Sequence, residues 1–482
     1  MPVSRMRVIM SESRRAAHAA RPGGVPASSG RIVVERSTRL PHTPDQVWSW
    51  HVRPGAFERL TPPWERARII ERPASLENGS RLVLEVHIGP IPVRWVAVHR
   101  DVTPGRGFVD EQVEGPFAHW VHEHLFSPER DGCMVTDRIT CTPPLGALGG
   151  FLGGPFLRAR LERTLRYRHA VLGADLDLHT RAALVPLHVA VTGASGLVGS
   201  ALVPFLTTGG HRVTRLVRRS PGAGEVQWQP DAGTIDVAAL EGIDAVVHLA
   251  GENIAGARWT PERKRALRES RVGPTALLAS ALARLARKPR VLVSVSATGF
   301  YGSRGSEVLL DESGPGTDFL AGLAREWEDA AAPAEAAGIR VAHPRFGIVL
   351  SPAGGALAKM LPPFLAGAGG PMGGGEQWMS WSSIDDAVGM LHFAIASQAS
   401  GAFNAVAPAP VTNAQFARIL GRVLQRPAMI PVPGAALRLL FGEMADGTVL
   451  ASTRALPRRL ERWGYRFVHT DLEPALRHVL GR

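Results

Sequence analysis

Lysine and tyrosine are nearly missing from this 482-residue chain. Lys264, Lys288 and Lys359 are the only lysines among 55 basic residues, and Tyr167, Tyr301 and Tyr465 are the only tyrosines. Four residues after the tyrosines stand Val171, Gly305 and His469, so a Tyr-x-x-x-Lys proton-transfer pair is excluded anywhere in the sequence. Cysteine is equally scarce. Cys133 and Cys141 alone exclude a disulfide framework and a cysteine metal quartet, and they suit a reducing interior. The longest apolar stretch, 143–157, is glycine-rich and shorter than the roughly 20 residues of a membrane-spanning helix. Near the N-terminus no apolar segment precedes a cleavage site, so no signal peptide is expected and the protein is predicted to be soluble and cytoplasmic.

What is present is globular: 45% hydrophobic and 20% charged residues, with 52 glycines and 38 prolines. At about 150 residues per domain the length predicts two or three domains. The net charge is +12, but residues 1–30 carry five arginines against Glu12, and 451–482 carry seven against three acids. The excess therefore sits at solvated ends. Without an aromatic-and-basic stripe or zinc-finger spacing, no nucleic-acid partner is expected. The oligomeric state is left open.

Residues 1–30 close with RPGGVPASSG and read as a flexible basic tail. A first domain is predicted over 31–178. A strand over 31–40 is followed by Thr43, Pro44 and Asp45, which supply an N-cap, a first-turn proline and a first-turn acid for a helix through Val47 and Trp48. Strands are predicted over 81–88, 93–101, 107–114, 119–126 and 133–142. Leu157, Leu161, Leu165 and Leu172 share a face of a closing helix, 155 to about 172. This order predicts an α+β helix-grip domain, a curved sheet around a helix with a cavity between. RSTRLPHTPDQVWSW and FVDEQVEGPFAHWVHEHLF in this region resemble the START-like, Bet v 1-like superfamily of polyketide cyclases and hydrophobic-ligand carriers. The resemblance implies a hydrophobic ligand in the first domain. Strand alternation puts Trp120, His122 and His124 on one face; with no third ligand at a diagnostic spacing, they read as cavity wall and no metal is expected.

A short connection is predicted over 179–186, and from 187 the pattern changes. A strand over 187–191 runs into Thr192-Gly193-Ala194-Ser195-Gly196-Leu197-Val198-Gly199 and then a helix. In this dinucleotide loop Gly193 permits the tight turn, Gly196 admits the pyrophosphate, and Gly199 lets helix pack on strand, while the helix N-terminus meets the phosphate charge. The next strand ends at Arg218 and Arg219 where NAD sites usually place an acid, which favours the 2′-phosphate of NADP(H). Strands ending at His248-Leu249-Ala250-Gly251 and at Ser294 complete the predicted cofactor contacts. The predicted fold is a doubly wound α/β Rossmann domain with a parallel sheet.

These landmarks resemble the extended short-chain dehydrogenase/reductase (SDR) superfamily. RFGIVLSPAGGALAKMLPPF, GGPMGGGEQWMSWSSIDD and FNAVAPAPVTNAQFARILGRVLQRPAMIPVP narrow the resemblance to an atypical epimerase-like family with a C-terminal segment of unknown function, here 427–482. Most relatives use Ser with Tyr-x-x-x-Lys; this chain has Phe319 and Leu323 where that pair would lie, and Arg271 replaces a helical asparagine. The resemblance leaves Ser296, Tyr301, Arg345 and Glu252 as catalytic candidates. With the first domain fused to it, it implies an NADP(H)-dependent oxidoreductase acting on an unknown, hydrophobic small-molecule substrate bound with help of that first domain. A non-catalytic NADP(H) sensor and a nucleotide-sugar epimerase are the alternatives. The glycine-rich loop 367–375 reads either as a lid or as an inert turn.

Overall fold

The computed structural model describes residues 30–144 and 146–482, so nearly all of the predicted tail lies outside the described residues. The first domain runs β1 (Ile32–Leu40), α1 (Pro44–Val52), α2 (Ala56–Leu60), β2 (Ala67–Glu71), β3 (Arg81–Ile88), β4 (Ile91–Thr103), β5 (Gly107–Glu114), β6 (His119–Glu129), β7 (Gly132–Thr142) and α3 (Gly146–Ala182). Its seven strands form one antiparallel sheet, ordered β1-β7-β6-β5-β4-β3-β2. Thr43 caps α1 as predicted, with a reciprocal Gln46 bond completing a capping box. Leu161, Leu165 and Leu172 of α3 are buried in the groove of the sheet.

Helix α3 corrects two expectations. It starts earlier than residue 155 and runs on to Ala182, taking in half of the predicted connection. The sequence there looks polar, but Leu178 joins the core of the second domain and the His179 ring lies 4.3 Å from that of Phe205. Tertiary packing thus carries the helix across the expected break, leaving only 183–187 between α3 and the next strand. Two short elements, α2 and β2, escaped the sequence reading.

The second domain runs β8 (His188–Thr192), α4 (Leu197–Thr208), β9 (Arg212–Val217), β10 (Glu225–Gln229), β11 (Thr234–Ile235), β12 (Ala245–His248), α5 (Pro261–Glu269), α6 (Val272–Ala283), β13 (Val291–Ser294), β14 (Ser296–Ala297), β15 (Val308–Leu309), α7 (Phe319–Asp329), α8 (Ala332–Ala336) and β16 (Arg340–Phe346). The main sheet is ordered β11-β10-β9-β8-β12-β13-β16-β14, and the strand Gly401–Ala405 adds to β16. Its pairings are parallel except for the edge strand β11. β8 is central and apolar because both faces are covered: Val189, Ala190 and Val191 are fully buried. This is the doubly wound arrangement, in which ligands bind beyond the C-terminal strand ends.

Candidate functional site

At the end of β8, Gly193 adopts φ +64, and a Cβ there would lie 2.8 Å from the Leu249 carbonyl carbon. A Cβ on Gly199 would lie 2.2 Å from the Gly193 carbonyl oxygen. Only glycine fits this crossing. Gly196 caps α4 with no side chain on the first-turn N–H groups, and Ser195 and Gly196 are exposed. The donors at Leu197 and Val198 thus begin a helix whose positive end lies beside exposed Ser195 and Gly196. Thr192 Oγ1 accepts from Leu249 N at 3.1 Å and from Ala250 N at 3.3 Å, and it pairs with His248 Nδ1 at 2.7 Å. These bonds pin the Leu249-Ala250-Gly251 turn against the glycine loop. Below the turn, buried Arg271 donates to the Glu252 carbonyl at 2.7 Å, and burial lowers its pKa to about 10. The replaced asparagine has become a prop for the cofactor turn.

Arg218 and Arg219 are exposed at the end of β9. Arg219 donates to Glu225 at 2.6 Å, whereas Arg218 has no ion pair among the described residues. Ser294 ends β13, buried, with an unpartnered hydroxyl. The predicted cofactor residues therefore line the C-terminal edge of one sheet, and the glycine cradle with an unengaged guanidinium fits a dinucleotide carrying a 2′-phosphate.

Beside this edge, strand pairing sets Ser296, Arg345 and Asn404 in one row. Ser296 Oγ donates to Glu328 Oε1 at 2.7 Å, and Arg345 grips both Glu328 oxygens at 2.8 and 2.7 Å. Arg345 Nη1 also reaches Tyr301 Oη at 3.1 Å, and Tyr301 donates to Asn404 Oδ1 at 2.7 Å. Tyr301 is fully buried, and burial pushes its phenol pKa up. Three of the four catalytic candidates thus meet in one network. Glu252 does not join it: its carboxylate is exposed and pairs with Arg263. Glu328 and Asn404 were missed, because only strand register and the end of α7 bring them in. Phe319 packs edge-on to Trp259, and Leu323 is buried. The loop 367–375 is pinned to 430–432 by bonds such as Val432 N to Pro371 O and Gly373 N to Val432 O, both 2.9 Å, so it is an anchored turn.

The first domain encloses a cavity of about 660 Å³ between sheet and α3, with Leu84, Trp95, Phe108, Trp120, Leu157 and Leu161 among its walls. His51, His99, Asp110, His122 and His124 line one side. Burial lowers the pKa of His51 to about 3 and that of His122 to about 4.

Three family models match the chain. Residues 40–166 match "Polyketide cyclase / dehydrase and lipid transport", 189–405 match "NAD dependent epimerase/dehydratase family", and 432–479 match a domain of unknown function. Epimerase family protein MT2273 of Mycobacterium tuberculosis is 45% identical over 296 residues, covering 61% of this chain and 98% of that protein. Human epimerase family protein SDR39U1 is 37% identical over 298 residues, covering 61% and 100%. A crystal structure of the nucleoside-diphosphate sugar epimerase from Corynebacterium glutamicum is 36% identical with a TM-score of 0.77, covering 93% of this chain and 90% of that one. The crystal structure of human SDR39U1 (isoform2) with NADPH is 34% identical with a TM-score of 0.56, covering 61% and 99%. A START-like domain thus precedes a Rossmann domain whose relatives are epimerase-family proteins along nearly their whole length, and the chain belongs to the NAD dependent epimerase/dehydratase family.

Proposed function

We propose that the second domain binds NADP(H) at the Gly193–Gly199 loop and acts as an atypical SDR oxidoreductase. The observation that carries this reading is the glycine cradle together with Arg218, exposed just past β9 and without an ion pair among the described residues, where a 2′-phosphate would sit. The NADPH in the human relative's structure supports the same cofactor. When bound, the nicotinamide supplies or accepts a hydride. The chain's own residues then have distinct tasks. Leu197 and Val198 N–H groups hold the diphosphate, Arg218 takes the 2′-phosphate, and the 249–251 turn supports the cofactor. Ser296, whose one O–H goes to Glu328, offers its oxygen lone pairs to a water or to a substrate hydroxyl. Glu328 fixes the Ser296 hydroxyl, while Arg345 and, through it, Tyr301 are positioning residues. Glu252 has no proton role here. With no Tyr-x-x-x-Lys pair, the proton that balances hydride transfer comes from water oriented at Ser296.

The cavity of the first domain holds a separate, mainly apolar guest. Its wall residue Arg53 donates to the Thr208 carbonyl at the C-terminal end of α4, whereas the cofactor loop begins that helix. The 12-residue helix is ~18 Å long, so this part of the cavity wall stands a helix length from the cofactor loop. Two buried free thiols, Cys133 and Cys141, support a reducing, cytoplasmic setting; no described helix is long and apolar enough to cross a membrane.

Purified protein mixed with NADPH and a broad carbonyl panel tests the enzymatic reading. Oxidation of NADPH that is lost in Ser296→Ala supports it. Tight NADPH binding without turnover favours the sensor reading, to which the full burial of Tyr301 lends weight. Turnover of UDP-sugars would favour the epimerase reading.

A further inference from the structure

Strand pairing in the first domain supplies what sequence spacing lacked. On β5, Asp110 lies directly opposite His122 of β6, with His99 of β4 on its other side. His124, two residues on, faces the same way and lies opposite Asp137 of β7. His122, His124 and Asp137 are more than nine-tenths buried. The ring centroids of His122 and His124 are 3.9 Å apart, and the donor atoms of Asp110, His122 and His124 lie within 4.8 Å of one another.

The cluster is organised in two layers. Asp137 Oδ1 lies 2.7 Å from His124 Nδ1 and 3.4 Å from His122 Nε2, and Asp137 is itself held by His169 Nε2 at 3.2 Å. None of the three atoms on the Asp137 Oδ1 side, His124 Nδ1, His122 Nε2 or the oxygen, makes a well-aligned hydrogen bond. With those nitrogens turned to Asp137, His124 Nε2 and His122 Nδ1 are the ones left for the Asp110 side. His124 Nε2 lies 3.3 Å from Asp110 Oδ2, roughly the edge of a tetrahedron with ~2.0–2.1 Å bonds. His99 Nδ1 holds the other Asp110 oxygen at 2.6 Å. Carboxylates behind imidazoles, and an imidazole behind the carboxylate, are the outer partners that orient metal ligands.

We propose that Asp110, His122 and His124 bind one divalent transition-metal cation whose remaining coordination positions face the cavity of the first domain. Two imidazoles and one carboxylate suit zinc, iron(II) or cobalt(II) over magnesium or calcium. The cation gives an otherwise apolar cavity one strong point of attachment, so the guest is an apolar molecule bearing a ketone, enol or carboxylate oxygen. This inference concerns the first domain and is independent of NADP(H) binding in the second.

The test is anaerobic titration of chelator-treated, tag-free, full-length protein with Co(II). The expected result is saturation at one equivalent, with visible bands of nitrogen and oxygen coordination. His122→Gln and His124→Gln abolish those bands, and Asp110→Asn weakens binding at least tenfold. Where a variant fails to fold, X-ray absorption at the cobalt edge of the wild-type complex still decides, with two imidazoles expected. Absence of saturable binding would overturn the proposal and leave a hydrogen-bonded His–Asp relay. So would bands unchanged in both histidine variants, or a shell of oxygen or thiolate alone.

Discussion

Arg59 of the first domain donates to Asp385 of the second at 3.0 Å, while two further bonds, at 2.8 and 2.6 Å, tie it to Asp175 of α3. All three side chains are buried. His478 Nε2 lies 3.0 Å from the other Asp385 oxygen, and these partners hold Asp385 well below the usual carboxylate range despite burial. The two domains are thus joined by a shared charge network as well as by a continuous helix.

Removing one member of such a network leaves its partners charged and buried. Arg59→Ala is expected to cost about 3–5 kcal/mol of stability. Urea unfolding followed by fluorescence measures it, and a loss below about 1 kcal/mol would show that the network does not hold the domains together. Part of the loss should be recovered on mild acidification, as the stranded carboxylates take up protons.

Ser296→Ala should reduce kcat roughly a hundredfold with little change in NADPH affinity, because Ser296 orients the water that exchanges the proton and does not contact the cofactor. Glu328→Gln keeps the side-chain shape but removes the charge facing Arg345; kcat should fall while KM moves less. Equal losses in kcat and in NADPH binding for both variants would mean that the network serves the fold alone.

Acid should destabilise the second domain through its buried neutral histidines. Burial, and then Arg271, lowers His248 to about 4; burial, and then His211, lowers His392 to about 3. The unfolded chain takes up these protons near pH 6.5, so the stabilisation is complete above that value and is lost as pH falls toward about 4. For His248 the loss is roughly 3 kcal/mol. Urea midpoints at about pH 7.5 and about pH 4.5 measure the change, and His248→Gln should lose less between them.

Gly199→Ala should weaken NADPH binding at least tenfold, about 1.4 kcal/mol, because its Cβ meets the Gly193 carbonyl and must displace the loop. Isothermal titration measures it; unchanged affinity would mean that the loop does not carry the phosphates.

Much of this architecture was legible because its signals are local. The Thr43 cap, the β-rich runs bounded by turn residues that form β3 and β5, and the glycine spacing at 193–199 each act within a few residues. What was hidden depends on distant packing. The passage of α3 through 179–182 rests on the second domain, and α2 is too short to show periodicity. In the candidate sites, Ser296, Tyr301 and Arg345 were found, but Glu328 and Asn404 enter through register and a helix end. Asp110 likewise becomes a partner of His122 only once β5 and β6 are paired. Glu252 was singled out for its place after the cofactor turn, and the structure turns it toward Arg263 instead.

The central claim is that this Rossmann domain binds NADP(H) and reads the 2′-phosphate with Arg218. Parallel titrations of wild type and Arg218→Ala with NADPH and NADH test it directly. Wild type should prefer NADPH by at least tenfold, and the variant should lose that preference while keeping its NADH affinity. Equal affinity of wild type for the two cofactors, or no binding of either, would contradict the account.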